Sequence, residues 1–322
     1  MTLPQRLAAA LLALGLALAA PAAAQEHDAP VMPAEAVHAP EAEAAHGASD
    51  QIDIMHHIGN SRELELPFVG VVHLPQFPPI HVGGLTLDLS LTKHTVFLLL
   101  SALIVALVFL GTARGVRRAA AQGRPAKGFA GAMEAWALWV RQEVVLPNVG
   151  PHGEGFAPYL LTLFFFILVM NLLGLVPWGA TATGNIAVTG ALALLSFLVI
   201  EVAGMRALGF RGYMHTIFFL PPGLPTALKP LMLVIMTPVE IIGKLSKPFA
   251  LAVRLFANMT AGHVLVLALI GLTFLFKSWA VGVGASVLAT GIMLLELFVA
   301  FLQAFVFTLL TSVFIGLMRA EH

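Results

Sequence analysis

Glu240, Lys244, Lys247, Arg254, Asn258 and His263 lie within one apolar tract, and inside a membrane they could do ion chemistry. The tract reads TPVEIIGKLSKPFALAVRLFANMTAGH. A charged side chain at the bilayer centre costs about 2.5–3.5 kcal/mol on insertion, so it is kept for a task or reaches for the interface. Each helical residue turns roughly 100°. Glu240, Lys247 and Arg254, spaced by seven, therefore drift only about 20° per step. Asn258 follows on the same side. We read the six as a polar stripe, with Lys244 and Lys247 near enough to the inner end to snorkel. Arg254 lies two turns deeper. It is either a long-reaching snorkeller or a guanidinium held for a buried anion.

A second apolar tract carries Glu296 and Gln303, also seven apart and with no Lys or Arg within reach on the same helix. A buried lone carboxyl needs a partner or stays protonated. In antiparallel neighbours, residues at one level have a constant sum of numbers. Arg254 with Gln303 and His263 with Glu296 satisfy one register to within two residues. That register predicts Arg254 and Gln303 near mid-membrane, and His263 with Glu296 toward the outer side. A His–Glu pair joined to outer water suits proton relay. A static buried pair is the other reading.

The elements that must position these residues are membrane helices. The 322 residues are 59% hydrophobic and 11% charged, against about 45–50% and about 25% in soluble domains. About 20 apolar residues span a bilayer. Spans are predicted over Thr95–Ala113, Phe156–Pro177 and Ile186–Met205, with long apolar regions over about Leu224–Phe276 and Val281–Leu317. The last two exceed one straight crossing, so tilt or kinks are expected, with Pro230, Pro238 and Pro248 as kink sites. Gly128–Pro147 mixes Trp136, Trp139, Val140 and Val144 with Glu134, Arg141 and Glu143, which reads as a helix lying in the interface. The expected fold is an all-α polytopic membrane protein of five crossings plus this amphipathic helix, the last two helices long and tilted.

Residues 1–24 carry Arg6, an apolar core and an Ala22-Ala23-Ala24 cleavage site, the pattern of a secretory signal peptide. Residues 25–90 form an external region. Its first part, to about Pro67, holds seven acids between Glu26 and Asp53, and His27, His38, His46, His56 and His57 at irregular spacing. It reads as a disordered, solvated linker rather than a metal site. Leu74–Ser90 alternates like a short hairpin. Lys and Arg cluster in the first and third connections and at Arg319 in the tail. The positive-inside rule then puts the N-terminus outside and the C-terminus inside. There is no Cys, and no cofactor, metal or nucleic-acid partner is expected.

With those residues on the page, TPVEIIGKLSKPFALAVRLFANMTAGH closely resembles the signature of subunit a of F-type ATP synthases. FLQAFVFTLLTSVFIGLMRAEH resembles that family's last helix, and LVMNLLGLVPW an earlier span. The likeness covers residues 91–322, and the R-L-F-x-N-M-x-A-G core is highly specific. It implies a bacterial inner-membrane subunit beside a ring of c subunits, with the peripheral stalk's subunit b as a further partner. It implies two offset half-channels that couple proton flow to ring rotation. Arg254 matches the essential arginine that faces the ring carboxylate. Gln303, Asn258 and Glu240 match polar neighbours of the path, and His263 and Glu296 match its outer-side pair, here with His first and Glu second. Asn185 is kept, but Gly184 stands where some relatives have an acid. Lys247 is a further candidate. Glu201 has no carried-over role and reads as a snorkelling surface acid near the inner end.

The chain itself is then not an enzyme, and no phosphate-cradling GxxxxGK[ST] loop is present. H⁺ is the expected ion, and a Na⁺-translocating version of the same subunit is the alternative. A secondary transporter would need internal repeats, and a membrane hydrolase a metal or nucleophile motif. Neither is found. A passive scaffold leaves two facing polar stripes unexplained.

Overall fold

In a computed structural model of the chain, the described residues are 63–66, 70–76, 80–82, 85–87, 90–176, 181–218 and 229–320. The leader 1–24, the five N-terminal histidines and Pro177–Trp178 lie outside them.

Six helices carry the architecture: α1 Lys93–Ala121, α2 Gly128–Trp139, α3 Ala157–Gly174, α4 Ile186–Ile217, α5 Lys229–Phe276 and α6 Trp279–Ala320. Five of these segments, all but α2, are long and apolar enough to cross a membrane. Two antiparallel hairpins precede them. Strands β3 (Ile80–Val82) and β4 (Leu85–Leu87) pair Ile80 with Leu87 and Val82 with Leu85, the hairpin expected within Leu74–Ser90. The other was not expected. Strands β1 (Glu63–Leu66) and β2 (Gly70–His73) pair Glu63 with His73, in a stretch read as part linker. The alternation of ELEL against GVVH is the signal, four residues long and easily lost beside an acidic segment.

The core forms around α3. Its tract buries Tyr159, Leu160, Leu163, Phe164, Ile167 and Met170, and being apolar on every side it can pack against neighbours all round. Aromatic residues from three other helices meet on it. Phe109 of α1 packs 4.8 Å from Phe165, and Trp136 of α2 packs 5.3 Å from Phe165. Phe301 of α6 packs 5.9 Å from Phe164. The interfacial segment thus turns its apolar side into the bundle. Beyond Trp139 it widens into a π-helical stretch, Val140–Val145, and ends at Val149, with Val140, Val144, Val145 and Val149 all buried.

One expectation about helix length is corrected, that of the third span. Helix α5 runs unbroken through Pro238 and Pro248, and Pro230 falls in its first turn, where the missing N–H has no intrahelical use. A break lies in α4, at Gly209 (φ 67°, ψ 166°), and eight more helical residues follow it. The third span therefore extends past Met205 rather than giving way to a loop. Helices α5 and α6 are joined by Lys277–Ser278 alone, so they must run antiparallel. Together they leave a broad apolar face uncovered, including Val239, Ile242, Leu245, Phe249, Leu294 and Phe298.

Candidate functional site

The six polar residues of α5 do not form one stripe. Nine residues separate Arg254 from His263, which places them on about opposite sides of the helix. Lys247, Arg254 and Asn258 are exposed, on the side the chain leaves uncovered, and Glu240 is half-buried. Lys244 is buried, and His263 turns inward. Helix α5 thus has an outward polar face and an inward one.

On the outward face, Arg254 stands near the middle of α5. Among the described residues it has no ion pair or hydrogen bond beyond those of its helix backbone. Phe249 nearby is 69% exposed, so the guanidinium rises from an apolar surface. Lys247 lies 5.0 Å over the Phe314 ring, a cation–π contact that holds its stem to α6.

On the inward face, Glu296 of α6 is buried, and its carboxyl group lies against the Cα of Gly262. A β-carbon at residue 262 would overlap the carboxyl oxygen, so only glycine fits there. The contact fixes the register of α5 on α6, with Glu296 one residue from the level of His263. That same register sets Gln303 level with Leu255. Gln303 is buried whereas Arg254 turns outward. The two share a level, as expected, but no hydrogen bond joins them among the described residues.

The cluster around His263 contains residues that spacing did not reveal. His263 Nε2 lies 3.3 Å from the Thr181 hydroxyl, in the α3–α4 connection. The Thr181 carbonyl lies 3.0 Å from His94 Nδ1, at the start of α1. Asn171 of α3 is fully buried and donates to the Ala300 carbonyl of α6 at 3.2 Å. It accepts from the Thr183 hydroxyl at 2.7 Å. Asn185 caps α4, its Oδ1 accepting from the Ala187 N–H at 2.8 Å. Asn185 Nδ2, Thr260 Oγ1 and Glu296 Oε1 are buried with no hydrogen-bond partner among the described residues. Such atoms are normally satisfied by ordered water or by exchange of a proton. This region holds an imidazole, a carboxyl and unsatisfied polar atoms drawn from α5, α6 and the start of α4.

A second polar cluster lies at the other end. Tyr213, beyond the Gly209 break, donates to the carboxylate of Glu201. Lys244 lies 4.7 Å over the Tyr213 ring and donates to the Thr216 hydroxyl at 3.0 Å. Glu201 is 8% exposed, so it is not the surface acid that was expected. The break turns the end of α4 back until Tyr213 reaches it.

The likeness to known proteins is extensive. Residues 95–316 match the family model described as ATP synthase A chain. A protein named ATP synthase subunit a from Chlorobium phaeobacteroides (strain BS1) is 44% identical, over 98% of this chain and 94% of its own length. One named ATP synthase subunit a 2 from Prosthecochloris aestuarii is 47% identical over 90% of this chain and 86% of its own. ATP synthase subunit a of Myxococcus xanthus is 43% identical over 79% and 88%.

Proposed function

The chain belongs to the ATP synthase A chain family, and on that premise we propose that it is the proton-channel subunit of a rotary F-type ATP synthase. It is a multi-pass membrane protein that makes and breaks no covalent bond. Its partners are a c-ring and the peripheral stalk. We place residues 91–322 in the membrane domain, residues 25–90 outside, and residues 1–24 in a removed leader.

The observation that carries this reading is Arg254. A guanidinium at the middle of a membrane helix is exposed and pairs with no acid among the described residues. Left so in hydrocarbon, it would cost about 2.5–3.5 kcal/mol. A carboxylate passing on another protein removes that cost. Arginine is the suitable cation because it stays protonated at any accessible pH. It favours the ionised ring carboxylate while that group is beside it. In lipid, away from Arg254, the carboxylate must be neutral. Passage of the ring past Arg254 then couples loss of a proton on one side to gain on the other. About 2.3 kcal/mol per charge is available at 100 mV.

The inward face of α5 serves the outer half-channel, with His263 and Glu296 as its titrating pair; Gln303 on α6, Asn258 on the outward face of α5 and Glu240 are polar neighbours of the path. The Glu201–Tyr213–Lys244 cluster lies toward the inner side. Asn185 acts as the cap of α4, and Lys247 as a cation at the inner rim. H⁺ rather than Na⁺ suits a pair made of one imidazole and one carboxyl.

The test is ATP-driven acidification of inverted vesicles holding the whole complex, native against Arg254→Ala, with assembly checked by pull-down of the ring. Loss of pumping in an assembled complex is expected. Retained pumping would make Arg254 a structural residue and remove the mechanism.

A further inference from the structure

His94 is the second residue of α1 and is 4% exposed. Thr92, Lys93 and Thr95 beside it are buried too. Burying polar side chains costs free energy unless each finds a partner. The partner of His94 is a backbone carbonyl, that of Thr181, 3.0 Å from Nδ1. A carbonyl only accepts, so Nδ1 carries a proton and donates.

Thr181 is held from a second direction. Its hydroxyl lies 3.3 Å from His263 Nε2. Its side chain also sits in a notch at the end of α3. A β-carbon on Gly174 would come within 2.7 Å of Thr181 Cβ and 2.8 Å of its Cγ2. One threonine is thus fixed through its backbone by α1, through its hydroxyl by α5 and through its methyl by α3. The function proposed above uses His263 and gives His94 no task.

We infer that His94 is a positioning residue for His263. It holds the Thr181 carbonyl and thereby aims the Thr181 hydroxyl at His263 Nε2. The hydrogen bond at one ring nitrogen of a histidine decides which nitrogen carries the proton and how the ring is turned. His94 does not pass a proton to His263 by this route, because the carbonyl between them only accepts. The inference rests on the reading of His263 as part of the outer path. The ionisable groups that these contacts bring to His263 are His94 of α1, through Thr181, and Glu296 of α6, through Gly262. Helix α3 and the α3–α4 connection contribute Asn171, Thr183 and Asn185, none of which titrates.

The experiment uses proteoliposomes holding the complete complex. ATP synthesis is driven by an acid–base jump and read against pH on the side His263 faces. His94→Leu cannot donate to Thr181. It is expected to lower the rate roughly three- to tenfold, the scale of one buried hydrogen bond, and to move the midpoint of the pH profile. Thr181→Val is expected to do the same, and the pair together to do no more than either alone. His94→Asn places an amide N–H near the lost imidazole donor and is expected to rescue rate and midpoint. Arg254→Ala, in the same preparation, is expected to abolish synthesis. If it does and His94→Leu leaves rate and profile native, the positioning role is overturned while the path stands. If Arg254→Ala retains synthesis, both are overturned. Should His94→Leu fail to assemble with the ring, Thr181→Val decides: a moved profile supports the inference and an unmoved one overturns it.

Discussion

The carboxyl group of Glu296 lies against the Cα of Gly262, on the residue immediately before His263. This contact locks α5 and α6 in register and brings an acid next to an imidazole. It exists only because residue 262 has no side chain. Gly262→Ala forces the carboxyl group off its seat or the helices apart, and overpacking of this kind costs about 1–3 kcal/mol. We expect at least a several-fold loss of proton pumping from a complex that still assembles. Gly111→Ala is the control, because a β-carbon there meets nothing within 4 Å. Equal pumping by the two variants would show that the Glu296 seat has no part in the path.

Tyr213 and Glu201 are twelve residues apart on α4 and touch because the helix breaks at Gly209 between them. Tyr213→Phe leaves a buried carboxylate without its donor. That costs about 1–3 kcal/mol, and the thermal midpoint of the solubilised protein should fall. Adding Glu201→Leu to Tyr213→Phe removes the unsatisfied group as well and should recover part of the loss. A double variant whose loss is the sum of the two single losses would mean the residues do not act as a pair.

These two contacts mark where sequence reasoning succeeded and where it stopped. The level of Glu296, one residue from that of His263, was legible because both lie on long apolar helices joined by a short turn. Spacing by seven and a constant sum of numbers then set the level. The five apolar segments were legible because hydropathy is a composition signal that survives without knowledge of neighbours. The stripe on α5 was misread. Six polar residues were counted as one face, although Lys244 and His263 lie around the helix from Arg254. Tyr213 was missed because a glycine break has no periodic signature. His94, Asn171, Thr181 and Thr183 come from α1, α3 and one connection, and two of their bonds end on backbone carbonyls. A carbonyl has no residue type, so no pattern of side chains points to it.

Arg319, near the end of α6, donates to the Val149 carbonyl at 3.0 Å and to the Pro151 carbonyl at 2.7 Å. It pins the end of the α2 segment to the last helix. The rigid fork of the guanidinium presents its donors to two acceptors at once, whereas an ammonium on a flexible stem is not pre-organised for them. Arg319→Ala should free this connection. Limited proteolysis between residues 149 and 156 should speed up roughly fivefold, the scale of one net hydrogen bond. Arg319→Lys should fall between Ala and native. Identical cleavage rates for all three proteins would show that the connection is held by Val149 packing alone.

The direction of the whole path rests on the orientation assigned from Lys and Arg. Arg114, Arg117, Arg118, Arg124 and Lys127 crowd the connection after α1, while the α5–α6 turn has Lys277 alone. Basic residues are retained on the cytoplasmic side, so Lys277 should face outward and the connection after α1 inward. The chain has no cysteine, so a single introduced thiol reports without background. Lys277→Cys should react with a membrane-impermeant maleimide added to intact cells. Gln122→Cys, at the exposed end of α1, should react only in inverted vesicles. His263 and Glu296 lie nearer to Lys277 along α5 and α6 than Arg254 and Gln303 do, so the same labelling decides which water reaches them. The reverse pattern would turn the His263–Glu296 pair into an inner-side group and exchange the two half-channels.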